Sequence, residues 1–415
     1  MHKVVDAFDN DFTFVDNRGN EMYVLTNKNA PNTKLILVNT DDYAENNWKE
    51  IIPEAEEPIQ GVKIIGDHLF VTYLKNAYSL VKIFNLDGSF VKDMELPGIG
   101  SIGGFSGEEG SSDYFFSFSS YLFPPAIYKM NVNDFSYVQF KSSNVDFDPE
   151  LYITEQKWYE SKDGTKVPMF LTHRKDLKLD GNNPTLLYGY GGFNISLEPS
   201  FSSTRLLLLE KGGVFVVANI RGGGEFGEEW HKAGTLEQKQ NVFDDFIAAA
   251  EYLINNKYTQ PAKLAIEGGS NGGLLVGATL LQRPELFGVA FPRVGVLDML
   301  RYHKFTIGWA WATDYGTSDD ETAFNYLIKY SPVHNVKPAN YPATMIMTAD
   351  HDDRVVPAHS FKFGAELQKN QTGDEPILVR IERKAGHGAG KPISKVIDEQ
   401  ADMYSFLFYN MGINY

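Results

Sequence analysis

Leu264-Ala265-Ile266-Glu267-Gly268-Gly269-Ser270-Asn271-Gly272-Gly273-Leu274-Leu275 is the stretch whose reading decides the fold. A short apolar run leads into a glycine-bracketed serine, and small residues suited to a helix follow. Gly-x-Ser-x-Gly between strand and helix is the pattern of a nucleophile elbow. The serine must occupy a sharp, strained turn, and Gly268 and Gly272 remove the Cβ atoms that would collide as strand and helix close around it. Ser270 then stands at a helix N-terminus, where free backbone N–H groups and the positive dipole end suit an oxyanion. The N–H of Asn271 is the natural first donor. A packing turn or a phosphate cradle has the same composition, so the rest of the chain must decide.

Working outward, strand-like and helix-like runs alternate. Upstream, Thr185-Leu186-Leu187-Tyr188 and Val214-Phe215-Val216-Val217-Ala218 are short apolar runs of the kind buried in a parallel sheet. A helix is predicted from about Val242 to Asn255, with Phe243, Phe246, Ile247, Ala250 and Leu253 on one face. Downstream, the elbow helix ends near Arg283-Pro284. Two further strands follow, 343–348 and 377–381, and a last helix is expected from about Ile393 to Tyr409. This alternation predicts an α/β fold with a mainly parallel sheet and helices on both faces, whose site lies at the carboxyl ends of the strands.

In an α/β-hydrolase the acid and the base follow the serine in that order, each after a later strand. Strand 343–348 runs into Asp350-His351-Asp352-Asp353-Arg354, and strand 377–381 into Lys384-Ala385-Gly386-His387-Gly388-Ala389-Gly390. His387 is placed to take the proton of Ser270, and one of the three aspartates to orient its ring. Spacing leaves that choice open. A metal site or a solvated turn is the rival reading of the acidic cluster, without a second ligating group at suitable spacing.

The first 150 residues have a different texture. From Phe12 to about Asp148, short β-rich runs are broken by Asn, Asp, Gly and Pro. Runs beginning at Met22, Leu69 and Tyr114 recur at a spacing of about 45 residues, and each is followed by a second strand, 34–38, 80–84 and 126–130. That period suits the four-stranded blade of a β-propeller, with an ordinary antiparallel sandwich as the alternative. Three blades do not close a ring, and an open stack exposes strand edges, so sequence upstream of Met1 is expected to be missing. The aromatic residues here are read as blade core. Between the regions, Lys162-Asp163-Gly164-Thr165 marks a hairpin by its Asp-Gly pair. The expected domains are a partial propeller of about three blades, 1–150, and an α/β-hydrolase domain, 151–415.

Composition narrows the function classes. The chain has 415 residues, a net charge of −16 and no basic run, which argues against nucleic acid or an anionic membrane as partner. Zero cysteines exclude disulfides, cysteine-zinc sites and thiol catalysis. No metal or cofactor is expected. The N-terminus lacks a signal-like apolar run, and no stretch approaches the roughly 20 apolar residues of a membrane span. A cytoplasmic monomer is expected, with the periplasm as alternative if a signal precedes Met1.

Residues 184–415 resemble the catalytic domain of the prolyl oligopeptidase family of serine peptidases. The resemblance is carried by Tyr188-Gly189-Tyr190-Gly191-Gly192-Phe193-Asn194, Asn219-Ile220-Arg221-Gly222-Gly223-Gly224-Glu225, the elbow, Asp350-His351-Asp352-Asp353-Arg354-Val355-Val356-Pro357 and Ala385-Gly386-His387-Gly388. Residues 1–183 are similar, less specifically, to the later blades and return strand. The resemblance implies Ser270 as nucleophile, His387 as base and Asp352 as the acid. It implies that the Tyr190 hydroxyl joins the Asn271 N–H at the oxyanion. It makes Trp311 an indole lying flat on a substrate proline, with Phe193, Val296, Tyr315 and Val355 as further lining and Arg354 bonding a substrate carbonyl. A planar aromatic wall suits a rigid pyrrolidine that has no N–H to satisfy. In that family a closed propeller covers the site and admits short, flexible peptides.

The expected function is therefore a serine endopeptidase that cleaves short proline-containing peptides after proline through an acyl-enzyme. The alternatives are an exopeptidase or esterase of the same fold, and a truncated, non-catalytic scaffold. Glu267 and Arg293, charges at the elbow strand and the strand after it, find no account in the sequence.

Overall fold

Tyr78–Asn85 and Asp113–Ser119 alternate buried and half-exposed side chains along their length, as a pleated strand with one face in a core requires. They belong to a first compact unit, which comprises the chain up to Asp146 with Glu198–Ser202 and Gly224–Trp230. A computed structural model describes residues 3–7, 9–388 and 390–414. Ala389, in the glycine-rich loop quoted above, lies outside the described residues.

The first unit holds three four-stranded antiparallel sheets in chain order. One consists of β1 (Phe12–Arg18), β2 (Glu21–Thr26), β3 (Lys34–Asn39) and β4 (Lys49–Ile52). The next has β5 (Ile59–Ile65), β6 (His68–Lys75), β7 (Tyr78–Asn85) and β8 (Phe90–Met94), and the third β9 (Ser101–Ser106), β10 (Asp113–Ser119), β11 (Ala126–Asn131) and β12 (Tyr137–Ser142). The recurring runs read from the sequence are the two inner strands of each blade. Between successive blades lie two apolar cores, one around Leu35, Ile64, Leu69 and Val71 and one around Phe70, Ile83, Phe116 and Met130. The aromatics pack into the second, with Phe116 stacked on Tyr128 at 5.2 Å and Phe70 edge-on to Phe105 at 5.0 Å. They are blade interior, as expected from their alternation.

The second unit comprises Phe147–Leu197, Ser203–Gly223 and the chain from His231 on. Its eight strands are β13 (Tyr152–Glu160), β14 (Lys166–Arg174), β15 (Thr185–Tyr188), β16 (Val214–Ala218), β17 (Leu264–Gly269), β18 (Val289–Arg293), β19 (Ala343–Ala349) and β20 (Ile377–Glu382). They lie in the order β13-β14-β16-β15-β17-β18-β19-β20. The last six are mutually parallel, and the β13–β14 hairpin adds an antiparallel edge. Gly164 turns that hairpin at φ 83°. Here the sequence-based reading needs one correction: three strands follow the elbow, not two. Pro292 lies inside β18 and argues locally against a central strand, yet Val289, Ala290 and Phe291 are wholly buried and the strand pairs on both sides.

The helices Gln240–Asn255, Asn271–Gln282 and Ile393–Asn410 fall within about two residues of their predicted ends. Strand order reverses direction between β15 and β17, so the loops leaving these two neighbours open a crevice at their carboxyl ends. That crevice holds the elbow.

Candidate active site

Ser270 follows β17 at φ 59°, ψ −116°, a backbone conformation that a non-glycine residue adopts at a cost of about 1–3 kcal/mol. The turn is closed by Ser270 N–H donating to the Arg293 carbonyl at 2.9 Å and by Gly273 N–H donating back to the Ser270 carbonyl at 2.9 Å. A Cβ on Gly268 would run into the Gly272 carbonyl, and one on Gly272 would stand 2.7 Å from the Gly189 carbonyl. The glycines are therefore steric requirements. Asn271 opens the helix, so its N–H is among those the helix leaves without an acceptor.

His387 lies in the loop after β20, and its Nδ1 is 2.7 Å from Asp352 Oδ2. Asp352 lies after β19 and is 3% exposed. Its other oxygen accepts the N–H groups of Arg354 at 3.0 Å and Val355 at 2.9 Å. A carboxylate held this way is a fixed acceptor for an imidazole N–H. Of the other aspartates, Asp350 pairs with the exposed His351 at 2.6 Å, and Asp353 is exposed. Among the described residues no hydrogen bond joins the Ser270 hydroxyl to His387. Such contacts are often long before substrate tightens them.

The loop leaving β15 carries Tyr190 and Phe193. Asn271 Nδ2 donates to the Tyr190 carbonyl at 2.5 Å, and Phe193 N–H, at φ 58°, donates to Asp314 Oδ2 at 2.7 Å. Burial pushes the Tyr190 phenol up to about 12, against the opposing pull of the Arg354 charge, so it stays a hydroxyl donor at neutral pH. Phe193 meets Tyr315 edge-on at 5.3 Å, Tyr315 meets Tyr302 at 5.3 Å, and Tyr302 lies nearly parallel to the Trp311 indole at 6.1 Å. Trp311 is half-buried, whereas Tyr315 is 0% exposed and donates its hydroxyl to Asn271 Oδ1 at 2.7 Å. Val296 and Val355 are buried and Arg354 is exposed.

Three features go beyond the sequence-based reading. Asp314 joins the Phe193 backbone to His231 Nε2 at 3.0 Å. Lys239 is buried beneath the Tyr190 loop. A signal for it existed: a cation at the start of the helix Gln240–Asn255 opposes the helix dipole. The third is the account missing for Glu267 and Arg293. Arg293 Nη1 donates to Glu267 at 2.5 Å and Nη2 to Glu399 at 2.5 Å, tying the elbow strand to the helix Ile393–Asn410. Arg293, Glu399 and Lys391 border a cavity of about 180 Å³ that also touches His387. Replacing Arg293 by Met leaves Glu267 desolvated and unpaired, and is expected to cost about 3 kcal/mol of unfolding free energy in a urea titration.

Among the described residues no group of three or more His, Cys, Asp or Glu is arranged to hold a metal ion, and no helix is long and apolar enough to cross a membrane. The pieces present suit nucleophilic acyl transfer: a strained serine, a carboxylate-bound imidazole, and helix N–H groups beside a tyrosine.

Comparison with known proteins gives the following. The model of the prolyl oligopeptidase family matches residues 199–414, and that of the prolyl oligopeptidase N-terminal beta-propeller domain matches residues 1–142. The chain is 51% identical to the prolyl endopeptidase of Elizabethkingia meningoseptica over 99% of its own length and 58% of that protein's. It is 44% identical to the prolyl endopeptidase of Dictyostelium discoideum over 100% of this chain and 57% of that one. A structure from a structural and mechanistic analysis of two prolyl endopeptidases superposes with a TM-score of 0.95 at 47% identity, covering 99% of this chain and 61% of the other. The chain thus spans less than two thirds of the length of these relatives.

Proposed function

Because the chain belongs to the prolyl oligopeptidase family, we propose that it carries the peptidase chemistry of a serine endopeptidase, hydrolysing short peptides on the carboxyl side of proline. The observation that carries this reading is the 2.7 Å hydrogen bond between His387 and the buried Asp352, residues that follow Ser270 in the order such a site requires. On this reading His387 Nε2 accepts the Ser270 proton as Oγ attacks the carbonyl carbon of the proline residue. The Asn271 N–H and the Tyr190 hydroxyl receive the oxyanion. His387 returns the proton to the leaving amine, and water repeats the sequence on the acyl-enzyme. Asp352 stabilises the imidazolium and fixes its tautomer.

The proline ring lies against Trp311, with Phe193, Val296, Tyr315 and Val355 forming or backing the slot and Arg354 reaching a substrate carbonyl. All these residues belong to one chain, so a monomer suffices. The absence of cysteine fits a reducing compartment such as the cytoplasm.

The test is fluorophosphonate labelling together with hydrolysis of a blocked Gly-Pro amide by the full chain. Labelling without cleavage after proline, but with cleavage after arginine, removes the specificity and leaves the mechanism. Neither labelling nor cleavage removes the reading and leaves a non-catalytic scaffold. Trp311→Ala is expected to lower kcat/KM for the proline amide about thirty-fold, the equivalent of about 2 kcal/mol of lost apolar contact. Hydrolysis of a small acetyl ester by the same variant should change less than threefold.

A further inference from the structure

Among the described residues Lys239 is the one lysine that is buried, at 1% exposure. A cation taken out of water is costly unless a carboxylate compensates it. Lys239 instead faces neutral acceptors. Its Nζ donates to the Gly191 carbonyl at 2.8 Å and to Asn271 Oδ1 at 3.2 Å, and it stands 5.3 Å from the centre of the Tyr315 ring. Asp314 acts on it from farther away, being bonded itself to the Phe193 N–H and to His231. If packing alone mattered here, a methionine would fill the space without the desolvation cost.

The partners of Asn271 give the charge a task. Asn271 Oδ1 is held by two donors, Lys239 Nζ and the Tyr315 hydroxyl, which leaves the amide Nδ2 facing the Tyr190 carbonyl. One residue therefore carries an oxyanion donor on its backbone and, through its side chain, grips the backbone of the residue that carries the other. Lys239 also holds the next peptide of the loop through Gly191. The cation thus touches both segments that bear the donors.

We propose that Lys239 is the positioning residue of the oxyanion hole, locking Asn271 and the Tyr190-Gly191 peptide into one geometry and placing a buried positive charge behind the developing oxyanion. This rests on the peptidase reading given above. Preorganised donors need no reorientation when charge develops, so their loss is felt in the transition state more than in the bound substrate.

Burial pushes the Lys239 ammonium down to about 8, with Asp314 opposing. Its charge is present below that pH and lost above it. The groups facing it are Asp314 and Tyr315 from the segment Ala312–Tyr315, Tyr190 from the loop, and His231 through Asp314. Burial moves both tyrosines up, Tyr190 to about 12 and Tyr315 well above its ordinary value, so neither contributes a step near pH 8.

The experiment measures the second-order rate of fluorophosphonate labelling between pH 6 and 9.5 in the full chain and in Lys239→Met, since the phosphonyl oxygen occupies the oxyanion position. Binding of a blocked Gly-Pro acid and the thermal midpoint are measured alongside. The expected result is labelling slowed by about 100-fold, comparable to loss of one donor, with product binding changed less than threefold and the alkaline decline near pH 8 abolished. Should Lys239→Met lack a cooperative melt, Lys239→Gln is measured in its place. It keeps a donor but no charge, and a slowing of about tenfold without the alkaline decline is expected. Labelling at the wild-type rate, or losses of labelling, product binding and thermal midpoint in proportion, overturns the proposal. An unlabelled wild-type chain removes the peptidase reading and this inference with it, whereas a labelled chain with an indifferent variant removes only the role of Lys239.

Discussion

Ser270→Ala is expected to abolish fluorophosphonate labelling and to lower kcat for a blocked Gly-Pro amide by about a million-fold, with KM within a few-fold of the wild-type value. The hydroxyl is the attacking atom in the proposed reaction, and removing it leaves the binding surfaces in place. Residual hydrolysis, about a thousand-fold above the uncatalysed rate, should survive through the oxyanion donors. Stability should change by less than about 1 kcal/mol, because the hydroxyl makes no hydrogen bond among the described residues. The strained turn persists, since alanine meets the same restriction at φ 59° as serine. A variant that folds, melts like the wild type and still turns over the amide would place the nucleophile elsewhere.

Asp352→Asn should be nearly as damaging for a different reason. Asp352 Oδ1 accepts two backbone N–H groups, and Oδ2 faces His387 Nδ1. Asparagine can keep the first role with its carbonyl oxygen, which turns its NH2 group toward the ring. His387 must then present a lone pair at Nδ1 and carry its proton on Nε2, the nitrogen that has to accept from Ser270. A fall in kcat of about ten-thousand-fold is expected at neutral pH with the fold intact. Steady-state kinetics and a thermal melt check both halves. Loss of activity together with a large drop in melting temperature would mean that the loop, not the tautomer, had failed.

Much of this architecture is readable as local pattern. The inner strands of each blade, such as Leu69-Phe70-Val71-Thr72-Tyr73, bury most of their side chains and so carry a strong apolar signal. Their outer neighbours do not. Phe90–Met94 is exposed at four of five positions, and Tyr137–Ser142 buries none, so they read as loops. The strand Val289–Arg293 is hidden for another reason, the proline within it. At the site, the order Ser270, Asp352, His387 and the placing of each after an apolar run are visible along the chain. The choice among Asp350, Asp352 and Asp353 is not, because all three lie within four residues of one another.

What the sequence by itself determined is therefore short-ranged: where the backbone must turn, which glycines the elbow cannot do without, and which runs alternate as strand and helix. These follow from steric limits and periodicities that act over a few residues. Which groups meet was decided only by the tertiary structure. His387 reaches Asp352 across 35 positions, Arg293 reaches Glu399 across 106, and Lys239 lies under Asn271 across 32. Those meetings depend on the strand order of the sheet, which sets neighbours about 4.8 Å apart whatever their separation in the chain. Burial of a lysine or a tyrosine, and so its proton affinity, exists only once that sheet has closed its core around it.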